Sequence, residues 1–291
     1  TADRALNYHM VFNPTVAPLR RNVVFDQIES DYRLVVASGP RRPLPIVGQA
    51  VQSGREVFWG DVQVDAKDGA AVPIPSVSPD MRILGVWAEP DVPVEFEKDG
   101  ADNFYARVDG NETTRLKLLV DAGAQYFYAP VSGDVALGVL SGRAGTELSP
   151  AARLAGAAVL GELGVTPQLP FDQGLGKLVA WFRAFEAGPP PKNASDDVYK
   201  ALALGKVGVC RHRAFAFLVT ARAAGVPTRY VQNEAHAFVE IQAPDGAWRR
   251  IDLGGEAPSV SVTGSGKNRR LHRPPPDPFP KPKSYQEQYS N

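Results

Sequence analysis

The sequence predicts an α+β protein in which helices pack on an antiparallel sheet, preceded by an all-β, sandwich-like domain. Three observations carry this. From about residue 20 to residue 130, short alternating runs rich in Val, Phe, Tyr and Leu are separated by Gly, Pro and Asp, which is the period and punctuation of strands. Near residue 149 the texture changes to Ala-rich segments with apolar residues at helical spacing. Beyond residue 227 the alternation returns. At 291 residues the chain has room for two domains, and these shifts divide it into a β-rich part (1–140), a helix-and-sheet part (141–255) and a Pro-rich tail (256–291).

In the first part the strand runs include Tyr32-Arg33-Leu34-Val35-Val36, Asp61-Val62-Gln63-Val64, Met81-Arg82-Ile83-Leu84-Gly85-Val86-Trp87 and Arg115-Leu116-Lys117-Leu118-Leu119-Val120. Turns are signalled at Asp68-Gly69, Asp99-Gly100 and Asp109-Gly110, and an antiparallel sandwich of roughly a hundred residues accounts for them. In the second part Ser149-Pro150 supplies an N-cap and a proline at the first helical position, opening a helix that runs to Leu163-Gly164. A second helix fits 175–186, burying Leu178, Val179, Trp181, Phe182 and Phe185 and stopped by Gly188-Pro189-Pro190-Pro191. Ser195 then caps a short helix to about Leu204. A third begins near Cys210 and ends at Gly225, with Pro227 two residues on. Strands follow at 228–232, 235–242 and 248–253. Pro274-Pro275-Pro276, Pro278, Pro280 and Pro282 prevent regular structure in the tail, which is either flexible or an extended strap.

Composition removes several function classes. Hydrophobic residues at 44% and charged residues at 22% exclude wholesale disorder. Lys plus Arg and Asp plus Glu balance at 32 each, so no phosphate-neutralising surface is advertised and nucleic acid is not an expected partner. No apolar run is long enough for a membrane span, and the opening Thr1-Ala2-Asp3-Arg4 is not a signal peptide. A soluble chain is expected, with the compartment, cytoplasmic or extracytoplasmic, and the oligomeric state left open. One cysteine forms no internal disulfide, and His9, His212, His236 and His272 show no ligand spacing, so neither metal nor cofactor is expected. The sequons at Asn111 and Asn193 matter only in a glycosylating pathway.

Cys210 therefore stands as a lone thiol. At the first turn of the third helix it meets unsatisfied N–H groups and the positive end of the dipole, which favour the thiolate. Ala214, Phe217, Leu218 and Ala221 lie on its stripe and pack it into the core. His212, two residues on, points to a different side of the helix and fails as its base. The flanking Arg211 and Arg213 either pair with carboxylates or add to the positive field around the sulfur. His236 shares a strand face with Phe238 and Glu240, and a hairpin turn at Pro244-Asp245-Gly246 leads to Asp252. A loop of three or five residues places Asp252 opposite His236 or opposite Phe238, within reach of the imidazole; a two-residue turn on Asp245-Gly246 places it on the wrong face. Glu240 is the rival third member.

The order Gly208-Val209-Cys210-Arg211-His212-Arg213-Ala214, then Ala224-Gly225-Val226-Pro227-Thr228-Arg229-Tyr230-Val231, then His236-Ala237-Phe238-Val239-Glu240, then Trp248 and Asp252, resembles the transglutaminase-like superfamily core of the bacterial type. The resemblance spans roughly 175–255 and implies a papain-like fold with Cys210 as nucleophile, His236 as base and Asp252 as the orienting acid. It implies a peptide or protein substrate whose acyl group forms a thioester, resolved by water in a peptidase or amidase or by an amine in a crosslinking enzyme. A catalytically silent module that binds peptides is the contrasting expectation. Animal transglutaminases carry a tryptophan where this chain has Arg211, and Leu253-Gly254-Gly255 replaces the frequent proline after the aspartate, so the acceptor stays open. The Cys210 N–H is the expected first oxyanion donor. Tyr199 is a candidate for the second, and Trp248 is either hairpin packing or a substrate platform.

Overall fold

A computed structural model describes residues 6–12, 20–37, 39–48, 52–65, 68–128, 130–188, 197–255 and 260–263. The alternating runs of the first part form two antiparallel sheets. One is ordered Arg42–Leu44, Val94–Lys98, Phe104–Val108, Val72–Ile74; the other is ordered Arg55–Asp65, Thr113–Gly123, Arg82–Glu89. Alternation sends Phe58, Val62, Val64, Leu116, Leu118 and Val120 inward against Ile74, Phe96, Phe104 and Val108, and these side chains make one core between the sheets. The run at Tyr32 behaves differently. Tyr32 takes a left-handed conformation (φ 67) in a turn closed by its N–H on the Glu29 carbonyl. Only Leu34–Val35 pairs, with Gln27–Ile28, and Tyr32 and Leu34 pack on the helical core. Apolar side chains claimed by a different core explain why that strand is short.

The helix Pro150–Glu162 starts as its sequence dictates, with the Ser149 hydroxyl accepting from the Ala152 N–H at 3.2 Å. The second helix is Phe171–Arg183, one turn earlier than 175–186. Phe171 is fully buried and anchors the first turn. Past Ala184 the chain runs extended, and Glu186 bridges Val207, so those residues leave the helix. The short helix is Val198–Gly205, capped by Asp197, whose carboxylate accepts from the Lys200 N–H at 3.1 Å. Ser195, Asn193, the Pro189–191 stop, His272 and the Pro274–282 stretch lie outside the described residues. Cys210–Ala223 is the central helix. Three other helices and the sheet enclose it, so Arg213, Ala216, Val219, Thr220 and Arg222 are buried in addition to its expected stripe. Gly156 permits the tightest of these approaches: a Cβ there would fall 2.4 Å from that of Ala223.

The sheet beneath is antiparallel, ordered Trp248–Ile251, Ala237–Gln242, Thr228–Gln232, Val23–Phe25. Ala237, Val239 and Ile241 face the helices, while Phe238 packs with Val24, Ala101 and Val231 on the other side. The edge strand Val23–Phe25 comes from the N-terminal part, which thus contributes a strand to this sheet. Val260–Thr263 pairs in parallel with Leu6–His9, which makes the start of the tail an extended segment. Among the described residues no helix is long and apolar enough to cross a membrane.

Candidate functional site

Cys210 opens the central helix and is 7% exposed. Burial pushes its thiol up. The hydrogen bond and charge of His236, with the backbone N–H groups of Ala237 and Arg211 directed at the sulfur, outweigh burial and hold the thiol below its ordinary value. These are the effects expected at a helix N-terminus beside an imidazole. The sulfur thus rests against the start of the Ala237–Gln242 strand, where His236 precedes the first paired residue.

The other face of the imidazole is occupied by Asp252: His236 Nε2 and Asp252 Oδ1 are 3.0 Å apart. Since Nε2 holds the carboxylate, Nδ1 is the nitrogen that faces the sulfur. The hairpin register explains the contact. Gln242 pairs with Trp248 and Val239 with Ile251, and the Ala243 N–H bonds the Ala247 carbonyl, leaving Pro244-Asp245-Gly246 as the loop. The same register sets Asp252 opposite Phe238 and diagonal to His236, one of the two arrangements that puts both on one face. The Asn233 side-chain oxygen accepts from the His236 N–H at 2.8 Å and fixes the backbone that presents the ring.

The turn after Asp252 is pinned on every side. Arg183 Nε donates to the Asp252 carbonyl at 2.9 Å, Arg213 Nη1 to the Leu253 carbonyl at 3.1 Å, and the Gly254 N–H to Asp252 Oδ1 at 3.1 Å. Arg213 also donates to the carbonyls of Arg183 at 3.0 Å and Phe185 at 2.5 Å. With the Gly208 carbonyl, which accepts from its Nε at 3.3 Å, it serves backbone carbonyls of three segments, which its planar fork suits. The Cys210 N–H, expected to be the first oxyanion donor, is donated to the Gly255 carbonyl at 3.0 Å. Gly255 sits at φ +88, where a Cβ would lie 2.8 Å from the Cys210 nitrogen and 2.6 Å from Arg213 Nε; only glycine fits.

The remaining candidates lie elsewhere. His212 uses Nδ1 to accept from the Val209 N–H at 3.2 Å, a local capping role, and burial together with the Arg211 charge keeps its pKa low. Tyr199 is fully buried, its hydroxyl 2.7 Å from that of Thr220, nearly three turns along the helix from Cys210. It cannot serve an oxyanion at the sulfur. Trp248 lies at the far end of the hairpin from Asp252, stacked on the Arg229 guanidinium at 3.7 Å, so packing is the role its position supports. Glu240 is likewise removed from the imidazole and completely buried. It accepts from Arg21 Nε at 2.6 Å, from Arg229 Nη2 at 2.7 Å and from the Tyr126 hydroxyl at 2.7 Å. Burial raises its pKa, but the two guanidiniums and the phenol more than offset this and the carboxyl lies below its usual range. Sequence reasoning missed Arg183, and Arg213 as a backbone clamp. Stripe spacing did not mark Arg213, which lies beside the apolar stripe through Cys210 and is buried by the elements around the helix.

Residues 166–253 match the family model of the transglutaminase-like superfamily, and this part of the chain is a transglutaminase-like domain. No curated protein sequence matches the chain significantly. Among solved structures, the periplasmic domain of TgpA from Pseudomonas aeruginosa is 17% identical, with 84% of this chain and 87% of that one covered at a TM-score of 0.48. The same domain bound to ethylmercury is 16% identical, with 84% and 90% covered at 0.48. A candidate cysteine protease of Cytophaga hutchinsonii is 16% identical, with 70% and 77% covered at 0.38.

Proposed function

We propose that the transglutaminase-like domain is a thiol acyl-transfer enzyme, with Cys210 as nucleophile, His236 as general acid and base, and Asp252 as the group that orients the imidazole. The observation that carries the reading is the Cys210 thiol, held below its ordinary value by the His236 imidazole, beside a ring whose Nε2 is 3.0 Å from the Asp252 carboxylate. The thiolate attacks the carbonyl carbon of a peptide or protein amide and a C–S bond forms. The C–N bond then breaks as the His236 imidazolium gives its proton to the departing amine. Water or a primary amine attacks the thioester, His236 takes the incoming proton, and the thiolate returns. No step requires a metal.

One observation favours the silent binding module instead: the N–H best placed to receive an oxyanion is already donated to Gly255. The two readings separate in solution. Incubation with a peptide mixture and a primary amine, followed by mass spectrometry, traps an acyl group on Cys210 if the enzyme reading holds and identifies water or amine as acceptor. Cys210→Ala abolishes the adduct. Iodoacetamide labels Cys210 near neutral pH faster than a model thiol, and His236→Ala suppresses this. Labelling at the rate of a model thiol, with no trapped acyl group, leaves the binding module.

A further inference from the structure

Acyl transfer builds an oxyanion beside the sulfur, and the nearest backbone donors are committed. The Cys210 N–H bonds Gly255 in the turn that Arg183 and Arg213 pin, so freeing it would loosen the turn that holds Asp252. The N–H groups of Arg211 and Ala237 are directed at the sulfur itself. A side-chain donor is therefore needed.

The register of the sheet points to one. Tyr230 pairs with Val239, and Gln232 with Ala237; paired residues project to the same side, so Tyr230 shares the helix-facing side with Ala237 and Val239. It is diagonal to Ala237, whose N–H reaches the sulfur, and diagonal neighbours lie within reach of an aromatic side chain. Tyr230 and Cys210 belong to one core cluster. The ring is 5% exposed and held edge-on by Phe25, with centroids 6.0 Å apart. Burial and the charge of Cys210 raise its pKa, partly countered by Arg211, so the phenol remains an O–H donor throughout the working range. Among the described residues that hydroxyl donates to nothing, and it is not among the fully buried polar atoms, so it is open to an incoming oxygen.

We propose that the Tyr230 hydroxyl is the side-chain oxyanion donor of this site, receiving the oxygen of the tetrahedral intermediate formed on Cys210. The inference rests on the acyl-transfer reading. As the thiolate adds to the carbonyl, the C=O electron pair moves to oxygen and the phenol hydrogen-bonds it without giving up its proton. Collapse then expels the leaving group, which His236 protonates where it is an amine.

Two probes separate the donor's role from the thiolate's. Acylation by p-nitrophenyl acetate passes through an oxyanion; alkylation by iodoacetamide does not. Tyr230→Phe keeps the ring and its packing on Phe25, and should slow the acylation burst by roughly a hundredfold while alkylation stays within about twofold. The exposed Gln232, opposite Ala237, is the comparison, and Gln232→Ala should change neither rate. Equal acylation by Tyr230→Phe and wild type, a parallel fall in both rates, or a selective loss in Gln232→Ala would each overturn the assignment. Absence of a Cys210-dependent burst from the wild-type protein would instead remove the acyl-transfer reading, and the assignment with it.

Discussion

Glu240→Ala tests how the sandwich is tied to the strand that follows His236. The substitution removes the carboxylate shared by Arg21 and Arg229, which are 1% and 3% exposed, and by the buried Tyr126 hydroxyl. Breaking one side of a buried ion pair costs about 3–5 kcal/mol, because the remaining charge is left uncompensated. Here both guanidiniums keep other partners: Arg21 retains the Ser76 hydroxyl at 2.8 Å and the Asp102 carbonyl at 3.0 Å, and Arg229 retains Asp102 Oδ2 at 2.9 Å. The cost should then sit near the lower end, about 3 kcal/mol, to which the stranded phenol adds about 1 kcal/mol. For a chain of this size that lowers Tm by about 6 °C. Calorimetry reads it directly, and a fall under about 2 °C refutes the reasoning. The double variant Arg21→Ala, Glu240→Ala should be less destabilised than the sum of the singles, since removing the cation removes its stranded charge. Glu240 has a depressed folded pKa, so its contribution is present above the unfolded carboxyl value of about 4.3 and disappears as pH falls through the lower folded value. The Tm gap between wild type and variant should therefore close in acid. Alkylation of Cys210 at 25 °C should not change, because four strand residues, roughly 13 Å, separate Glu240 from His236. A loss of reactivity as large as that of Asp252→Asn would restore Glu240 as the rival third member.

Three further outcomes are expected. The pH profile of Cys210 alkylation should inflect below the ordinary thiol value of about 8.5, and His236→Ala should move it upward; an unmoved profile means the imidazole does not set the thiolate. Gly255→Ala forces a side chain into a left-handed position against the Cys210 nitrogen, which costs at least about 1–2 kcal/mol and is read as a lower Tm; an unchanged Tm shows that the turn does not need its glycine. Arg213→Lys loses the fork that reaches the carbonyls of Arg183, Phe185 and Leu253 and should destabilise by about 3 kcal/mol in denaturant unfolding, whereas a near-neutral effect would mean an ammonium can take its place.

The sequence made legible whatever rested on local chemistry. Ser149-Pro150 placed a helix start, the Pro244-Asp245-Gly246 turn with parity put Asp252 on the face of His236, and a spacing of two set His212 aside. What it hid were long-range satisfactions. Nothing near Glu240 announces that Arg21, more than two hundred positions away, will neutralise it. Helix spacing showed one buried stripe through Cys210 but not that Arg213 and Arg222 on other sides of the helix are buried too, because that depends on how many elements surround it. The second helix moved by a turn because Phe171 found a place in the core and because Glu186 bridges Val207, a pairing with no local signature. Tyr199, a candidate donor or a structural tyrosine by sequence, is fully buried with Thr220; Tyr230 lies twenty positions beyond Cys210, and the register of the sheet carries it to the helix-facing side.

The turn at 252–255 decides from which side the site can be served. It links the Asp252 carboxylate, which bonds His236, to the Cys210 amide, and two arginines from the helices hold it in place. That amide is thereby a structural group, and the side of the sulfur it occupies is closed to an incoming carbonyl oxygen. Tyr230, the proposed donor, lies on the Thr228–Gln232 strand, and Phe25 of the neighbouring strand Val23–Phe25 braces its ring. The β-rich part then does more than accompany the chemistry: displacing Val23–Phe25 removes the brace on Tyr230 while leaving the link from Cys210 through His236 to Asp252 unaltered, so the two halves of the proposed machinery fail separately.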